Sequence, residues 1–340
     1  MYERGKTMGN PSTISRRTLF LAAGVGTLAA PVLLGRAAAT AQTKTAEEAT
    51  DMRVSPLQAR SLKLGSFRIL TVRDGMRPSG APNETFGTDQ SADAVGKLLT
   101  ENFLPADSFV NSFTPALVDT GSEVVLFDTG MGEGGREAGM GRLLEGLKYA
   151  GYTPDQVSVV VITHMHGDHI GGLLEGGKPA FPNARYVTGR TEYDFWVNPE
   201  RMGTPAEQGH QGVLAKVQPL AEKLTFIENE GEVVPGITGL DAFGHSPGHM
   251  IFRVESEGKA LMLTADTANH YVLSLQRPTW EVRFDMDKAA AAATRKKVFD
   301  MIATDRLPFI GYHMPFPAVG FVETAGEGYR FVPASYQFDI

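Results

Sequence analysis

The run from Thr163 to His169 reads THMHGDH, and it gathers three histidines and an aspartate into one short stretch of a 340-residue chain that has eight histidines in all. Imidazole and carboxylate are donors for divalent cations, and the spacing H-x-H-x-D-H is one that chance rarely produces. In an extended backbone His164 and His166 fall on the same side with Cα atoms about 6.6 Å apart, close enough to grip one ion. Gly167 frees the turn that follows, so Asp168 and His169 open a short turn or helix over residues 168–174. Four donors in one loop would fill a single structural zinc, whereas a catalytic centre keeps a position open for water. Further donors stand at the ends of apolar runs: His245 in GHSPGH, Asp266 in LTADT and His313 in GYHMPFP. Each has an ordinary explanation alone, as a turn aspartate or a loop histidine beside proline. Together they repeat one arrangement, an apolar strand handing a nitrogen or oxygen donor to its C-terminal edge. Five histidines and two aspartates are too many for one tetrahedral ion, but they suit two ions that share a carboxylate.

Elements must exist to carry these side chains. Residues 157–162 are nearly all branched aliphatics, as in a strand buried on both faces, and they deliver Thr163 to the edge of the core. Strand-like runs occur at 67–72, 109–118, 123–127, 157–163 and 185–187, and a second batch at 224–227, 237–243, 251–254, 260–265 and 309–311. Helical patterns occupy 92–100, 136–150, 191–197, 210–223 and 287–304. Two batches of strands, each followed by helices, predict an α/β (α+β) chain folded as an αββα sandwich of two mixed β-sheets flanked by helices, rather than a doubly wound parallel sheet. No linker, repeat or low-complexity tract divides residues 64–340, which are expected to form one catalytic domain behind a polar arm at 42–63.

The first 41 residues differ. Ser15-Arg16-Arg17-Thr18-Leu19-Phe20 leads into an apolar run and then Ala39-Thr40-Ala41, the order of a twin-arginine export signal with a small-residue cleavage site. The apolar run is about 16 residues, short of the roughly 20 needed to span a bilayer. The expected address is periplasmic or secreted, with the twin-arginine machinery as a partner. Removing that segment takes away five basic residues and one acidic residue, so totals of 32 and 39 become 27 and 38, a net charge of -11. Nucleic acid is excluded as a partner, since phosphate binding needs the opposite sign. There is no cysteine, hence no disulfide and no thiolate ligand.

FDTG with Asp128, HMHGDH, GHSPGH, TADT and GYH follow one another in an order that resembles the metallo-β-lactamase-fold hydrolases, over nearly all of the chain from about residue 64. Within them, GYHMPFPAVGF and the alanine-rich start look most like methyl parathion hydrolase and related lactonases. The resemblance implies two divalent ions, zinc above all, with manganese, iron or cobalt also compatible with mixed nitrogen and oxygen donors. It implies that His164, His166 and His245 hold one ion, that Asp168, His169 and His313 hold the other, and that Asp266 bridges them. Such ions jointly lower the pKa of a bridging water toward about 7, giving a hydroxide for attack on a carbonyl or phosphoryl centre. Asp128 is expected to orient a ligand histidine. The catalytic carboxylates are therefore Asp128, Asp168 and Asp266. For the GHSPGH pair, the resemblance puts His245 ahead of His249 as ligand. His210 is expected to be solvent exposed.

The implied reaction is hydrolysis of a small hydrophobic lactone or ester, with organophosphate triesters as a shared activity. Phe195, Trp196, His270, Tyr271 and Phe316 are candidate pocket residues, Trp280 a further aromatic near them. The resemblance also implies a homodimer. A β-lactamase and a glyoxalase-like thioesterase are the competing enzymes; a metal-binding module without activity is the non-enzymatic alternative, and none of the seven donors is missing.

Overall fold

A computed structural model describes residues 59–335. The expected export signal at 1–41 and most of the arm lie outside the described residues. Two seven-stranded sheets form the centre. The first runs in the order Ala59–Leu64, Phe67–Val72, Ala116–Asp119, Val124–Phe127, Val159–Ile162, Arg185–Gly189 and Leu224–Ile227. Its first four strands pair antiparallel and the last three join in parallel. The second sheet runs Glu232–Val234, Ile237–Asp241, Met250–Ser256, Lys259–Ala265, Phe309–Gly311, Val319–Ala325 and Gly328–Pro333, antiparallel except where Lys259–Ala265 meets Phe309–Gly311. Both sheets are mixed.

Side-chain alternation decides the layers. In the strand Val159–Ile162, Val159 and Val161 join the core between the sheets, while Val160 and Ile162 face the helices outside the first sheet. All four are buried, as a strand covered on both faces requires. Helix Leu143–Tyr149, helix Arg190–Val197 and helix Glu207–Lys216 cover the first sheet through Leu143, Leu147, Trp196 and Val213. Helix Lys288–Asp305 covers the second through Val298, Phe299 and Ile302. The expected αββα sandwich is the observed fold. Among the described residues no helix is long and apolar enough to cross a membrane.

Several boundaries differ from expectation for identifiable reasons. The strand expected over 109–118 is two strands broken at Thr114-Pro115, because proline has no N–H to give a ladder. Phe109–Phe113 leaves the first sheet and pairs with Gly75–Ser79 as a separate ribbon. The helix expected over 136–150 is interrupted by Gly139 and Gly141, both with left-handed φ, and only Leu143–Tyr149 is α-helical. Helix Glu207–Lys216 ends before Pro219, and a 3-10 segment continues to Lys223. The strand Ala59–Leu64 takes its residues out of the arm assigned to 42–63 and pairs them along Phe67–Val72.

Candidate metal centre

The seven donors expected from the sequence arrive from four strand ends and meet at one edge of the sandwich. Strand Val159–Ile162 delivers His164, and the turn beyond it delivers His166, Asp168 and His169. Strand Ile237–Asp241 leads to His245, strand Lys259–Ala265 to Asp266, and strand Phe309–Gly311 to His313. Their donor atoms form three overlapping groups in which all atoms lie within 4.8 Å of one another: His164 with His166 and His245, His164 with His169 and Asp266, and Asp168 with His169 and His313.

Asp266 joins these groups. Its Oδ1 stands 3.2 Å from His169 Nε2, and its Oδ2 stands 3.1 Å from His313 Nε2 and 3.3 Å from His245 Nε2. Burial acts to raise the Asp266 carboxyl, yet His313, His169 and His245 together hold it well below the usual carboxylate range. Asp168 Oδ2 lies 3.6 Å from His313 Nε2 and 3.7 Å from His169 Nε2.

The outward nitrogens explain why the inward ones are bare. His169 donates Nδ1–H to Asp128 over 2.8 Å, His245 to Asp285 over 2.9 Å, and His313 to the Ser112 carbonyl over 2.8 Å. Thr163 Oγ1 donates to Asp128, which leaves its oxygen to accept from His164 Nδ1–H over 3.1 Å. Four rings are thus fixed in the tautomer that aims an Nε2 lone pair inward. His166 Nδ1 stands 3.1 Å from His164 Nε2 and 2.9 Å from His245 Nε2, and a single proton on it could satisfy only one of them. His169 Nε2 and Asp266 Oδ1 are buried and have no hydrogen-bond partner. Lone pairs that converge in this way, with orphaned buried atoms among them, fit divalent cations, since hydrogen bonds within the cluster leave His169 Nε2 and Asp266 Oδ1 without partners.

His249 is consumed elsewhere. Its Nδ1–H donates to the Ala242 carbonyl over 3.0 Å, and its Nε2 accepts the backbone N–H of Asp266 over 3.1 Å. It anchors the backbone beneath the bridging carboxylate and has no lone pair left for an ion. His210 is buried, contrary to expectation, because its Nδ1–H reaches the Trp196 carbonyl over 2.6 Å.

Sequence reasoning missed the supports. Glu192 is buried and accepts from Met165 N–H and Trp196 Nε1 on one oxygen and from Ser246 Oγ and Gly248 N–H on the other. It fastens the loop holding His164 and His166 to the loop holding His245. Gly248 permits this approach, since a Cβ there would fall 2.1 Å from the Glu192 backbone nitrogen. Asp285, which orients His245, is itself fixed by the buried Arg295 at 2.7 Å. Asp285 and Glu192 lie far along the chain from the histidines they serve, and no spacing announces them. FDTG was the one support with a visible motif.

A cavity of about 830 Å³ opens above the donors, and His166, Asp168, His245, Asp266 and His313 form its floor. Of the expected pocket aromatics, Trp196 lines it. Phe195 instead packs on the helix-side core under Arg201. His270 is turned inward, where its Nδ1 accepts from the N–H groups of Val272 and Leu273, and Tyr271 stacks on it while packing on the core. Phe316 lies beneath the Arg73 guanidinium, and Trp280 packs on a satellite cluster. Phe86, Phe113 and Phe284 supply the missing apolar walls.

Residues 114–304 match the metallo-beta-lactamase superfamily. An N-acyl homoserine lactonase of Bacillus thuringiensis is 29% identical over 192 residues, 54% of this chain and 70% of that one. Among solved structures, AidC, a dizinc quorum-quenching lactonase in complex with the product N-hexanoyl-L-homoserine, superposes with a TM-score of 0.77 at 26% identity, covering 82% of this chain and 98% of AidC. The hydrolase AbOPH superposes at 0.75 with 24% identity, covering 83% of this chain and 99% of its own, a likeness of fold. Because the superfamily match spans more than half of the chain, and a paired cation site stands where its strands converge, this protein belongs to the metallo-beta-lactamase superfamily and is a metal-dependent hydrolase.

Proposed function

We propose that the protein is a dizinc lactonase that opens N-acyl homoserine lactones. The observation that carries this reading is a single carboxylate, Asp266, within 3.3 Å of three imidazole nitrogens at the floor of an apolar-walled cavity. In this reading His164, His166 and His245 would hold one ion and Asp168, His169 and His313 the other, with Asp266 shared between them. When bound, the pair supplies Lewis acidity and ionises water near neutral pH. The kinship with lactonases supports the substrate class.

The chain's own residues do the rest. Asp128 and Asp285 keep His169 and His245 in their inward-facing tautomers. Phe86, Phe113, Trp196 and Phe284 receive hydrocarbon and exclude water from the floor. Ring opening forms a bond from a water oxygen to the carbonyl carbon and breaks the bond from that carbon to the ring oxygen; of the two water protons, one is released with the carboxylate and the other must reach the departing alkoxide. Asp168 is placed to carry that proton, since its side chain is 23% exposed at the cavity while that of Asp266 is 3% exposed. Organophosphate triesters are a second substrate class of the same site, in keeping with the resemblance of GYHMPFPAVGF to methyl parathion hydrolase.

Acid release by the zinc-loaded protein tests this directly. One proton per N-acyl homoserine lactone consumed at neutral pH is expected, with slower turnover of methyl parathion and little of nitrocefin. Nitrocefin or S-lactoylglutathione turned over as fast as the lactone would overturn the reading. The N-terminal Arg16-Arg17 pair supports export, so the double change Arg16→Lys, Arg17→Lys is expected to hold the protein in the cytoplasm on cell fractionation. Undiminished export of that variant would contradict the address.

A further inference from the structure

Tyr312 stands between strand Phe309–Gly311 and His313, and it is 4% exposed. It is absent from the walls of the 830 Å³ cavity and lies behind the donors, where it borders a void of about 20 Å³ together with Asp128 and Thr163. From there it acts only through the side chains in front of it. Its contacts fall on one side of the metal centre. The hydroxyl donates to the Asp168 carbonyl over 2.6 Å. The ring lies on His169, with centroids 3.9 Å apart and planes tilted by 32°, and meets His313 edge-on at 5.0 Å. Phe113 is its remaining ring partner. Among the described residues it makes no ring contact or hydrogen bond with His164, His166 or His245.

Both contacts supply something the donors lack. Gly167–Ile170 is a single turn, too short to pair its own carbonyls, and the Gly172 N–H that a continuing helix would give to Asp168 goes to the Gly130 carbonyl over 3.2 Å. The Tyr312 hydroxyl takes its place. The Asp168 carboxylate stands 3.6 Å and 3.7 Å from the His313 and His169 nitrogens, beyond hydrogen-bond length, so its aim depends on the backbone that Tyr312 grips. His169 is held at Nδ1 by Asp128, and one hydrogen bond leaves a ring free to tilt about that line. An aromatic face at 3.9 Å removes the tilt.

We infer that Tyr312 is a positioning residue that preassembles the site of Asp168, His169 and His313 and leaves that of His164, His166 and His245 alone. The inference rests on the two-cation reading and deepens it, because it makes the affinities of the two sites separately adjustable. Deleting the hydroxyl releases the Asp168 backbone; deleting the ring releases His169 as well. Asp168 is also the carboxylate placed to carry a proton to the departing oxygen, so loosening it slows turnover. The cavity walls stay as they are, and substrate binding with them.

The test compares wild type with Tyr312→Phe, which keeps the ring, and Tyr312→Leu, which loses both contacts. Calorimetric titration of zinc into the chelator-stripped proteins measures the two affinities. Anomalous diffraction at the zinc edge, from crystals equilibrated at limiting zinc, shows which site each affinity belongs to. Binding at Asp168, His169 and His313 is expected to weaken about tenfold in Tyr312→Phe and about a hundredfold in Tyr312→Leu, the range for loss of a group that supports a metal ligand, with the other site unchanged. At saturating zinc, kcat of Tyr312→Phe for an N-acyl homoserine lactone is expected to fall while KM holds. Equal weakening at both sites, which a merely structural tyrosine would give, overturns the inference, and so does no weakening at either. A raised KM with kcat unchanged overturns it too, since that would place Tyr312 in substrate binding. Should Tyr312→Leu fail to fold, Tyr312→Phe decides alone. Uptake of fewer than two ions by wild type overturns the two-cation reading and the inference with it.

Discussion

At the residue scale, the site depends on which imidazole nitrogen carries a proton. Asp128 receives His169 Nδ1–H together with the N–H and hydroxyl of Thr163, so one carboxylate governs two donor residues, His164 through Thr163 and His169 directly. Asp128→Asn is expected to weaken zinc binding about 10–100-fold, measured by competition with a chromogenic chelator. Unchanged affinity would remove Asp128 from the account. Acid behaviour follows from the surroundings of each ring. Burial disfavours a charge on His169, but Asp266, Asp128 and Asp168 outweigh it and raise its pKa above 6.5; Asp266 raises His313 in the same way. Burial instead pushes His164 down, and His166 down to about 3. A proton and a cation compete for one lone pair, and the raised groups take their protons first as pH falls. The ion at Asp168, His169 and His313 is therefore expected to leave first as pH falls, while that at His164, His166 and His245 persists to lower pH. Metal content against pH should fall in two steps; loss of both ions in one step would contradict this.

At the scale of elements, rigid strands end in donors and a few buried carboxylates tie the intervening loops together. Glu192 is the clearest of these ties, since it joins Met165, between two donor histidines, to Ser246 and Gly248 beside His245. Burial raises its pKa and four hydrogen-bond donors oppose that shift. Whichever way its amide lies, Glu192→Gln turns an NH₂ toward a backbone N–H that can only donate, and it is expected to destabilise the protein by about 3 kcal/mol in urea unfolding, with weaker metal binding in parallel. A stable variant with normal metal affinity would show that the loops hold without it. The strands that carry donors were legible in the sequence because branched aliphatic runs ended in histidine or aspartate. The closing hairpin of Val319–Ala325 and Gly328–Pro333 was not, since its apolar residues are diluted by glycine and charge. The pocket was least legible: Phe86 and Phe113 stand outside every motif, and only the fold brings them over the donors. His249 and His245 share one motif, and hydrogen bonding rather than spacing separates their roles.

At the scale of the whole molecule, two sheets share one apolar core while their C-terminal edges assemble the site. With no cysteine in the chain, cations bound at the donor cluster would supply stability that covalent cross-links cannot. An ion present at about 100 times its Kd adds roughly 2.7 kcal/mol, so stripping two ions by chelation is expected to lower Tm by roughly 10–20 °C. Scanning calorimetry before and after chelation measures this, and an unchanged Tm would mean that the donors hold no metal in the folded state. The homodimer implied by the resemblance is proposed on that ground alone, and sedimentation of the purified protein tests it.

The central claim is that seven side chains from four strand ends hold two cations with Asp266 between them. Anomalous diffraction at the zinc edge from crystals of the zinc-loaded protein tests it most directly. Two peaks are expected in each chain, one against His164, His166 and His245, the other against Asp168, His169 and His313, with Asp266 in contact with both. A single peak, or one ligated by His249 or His270, would contradict it.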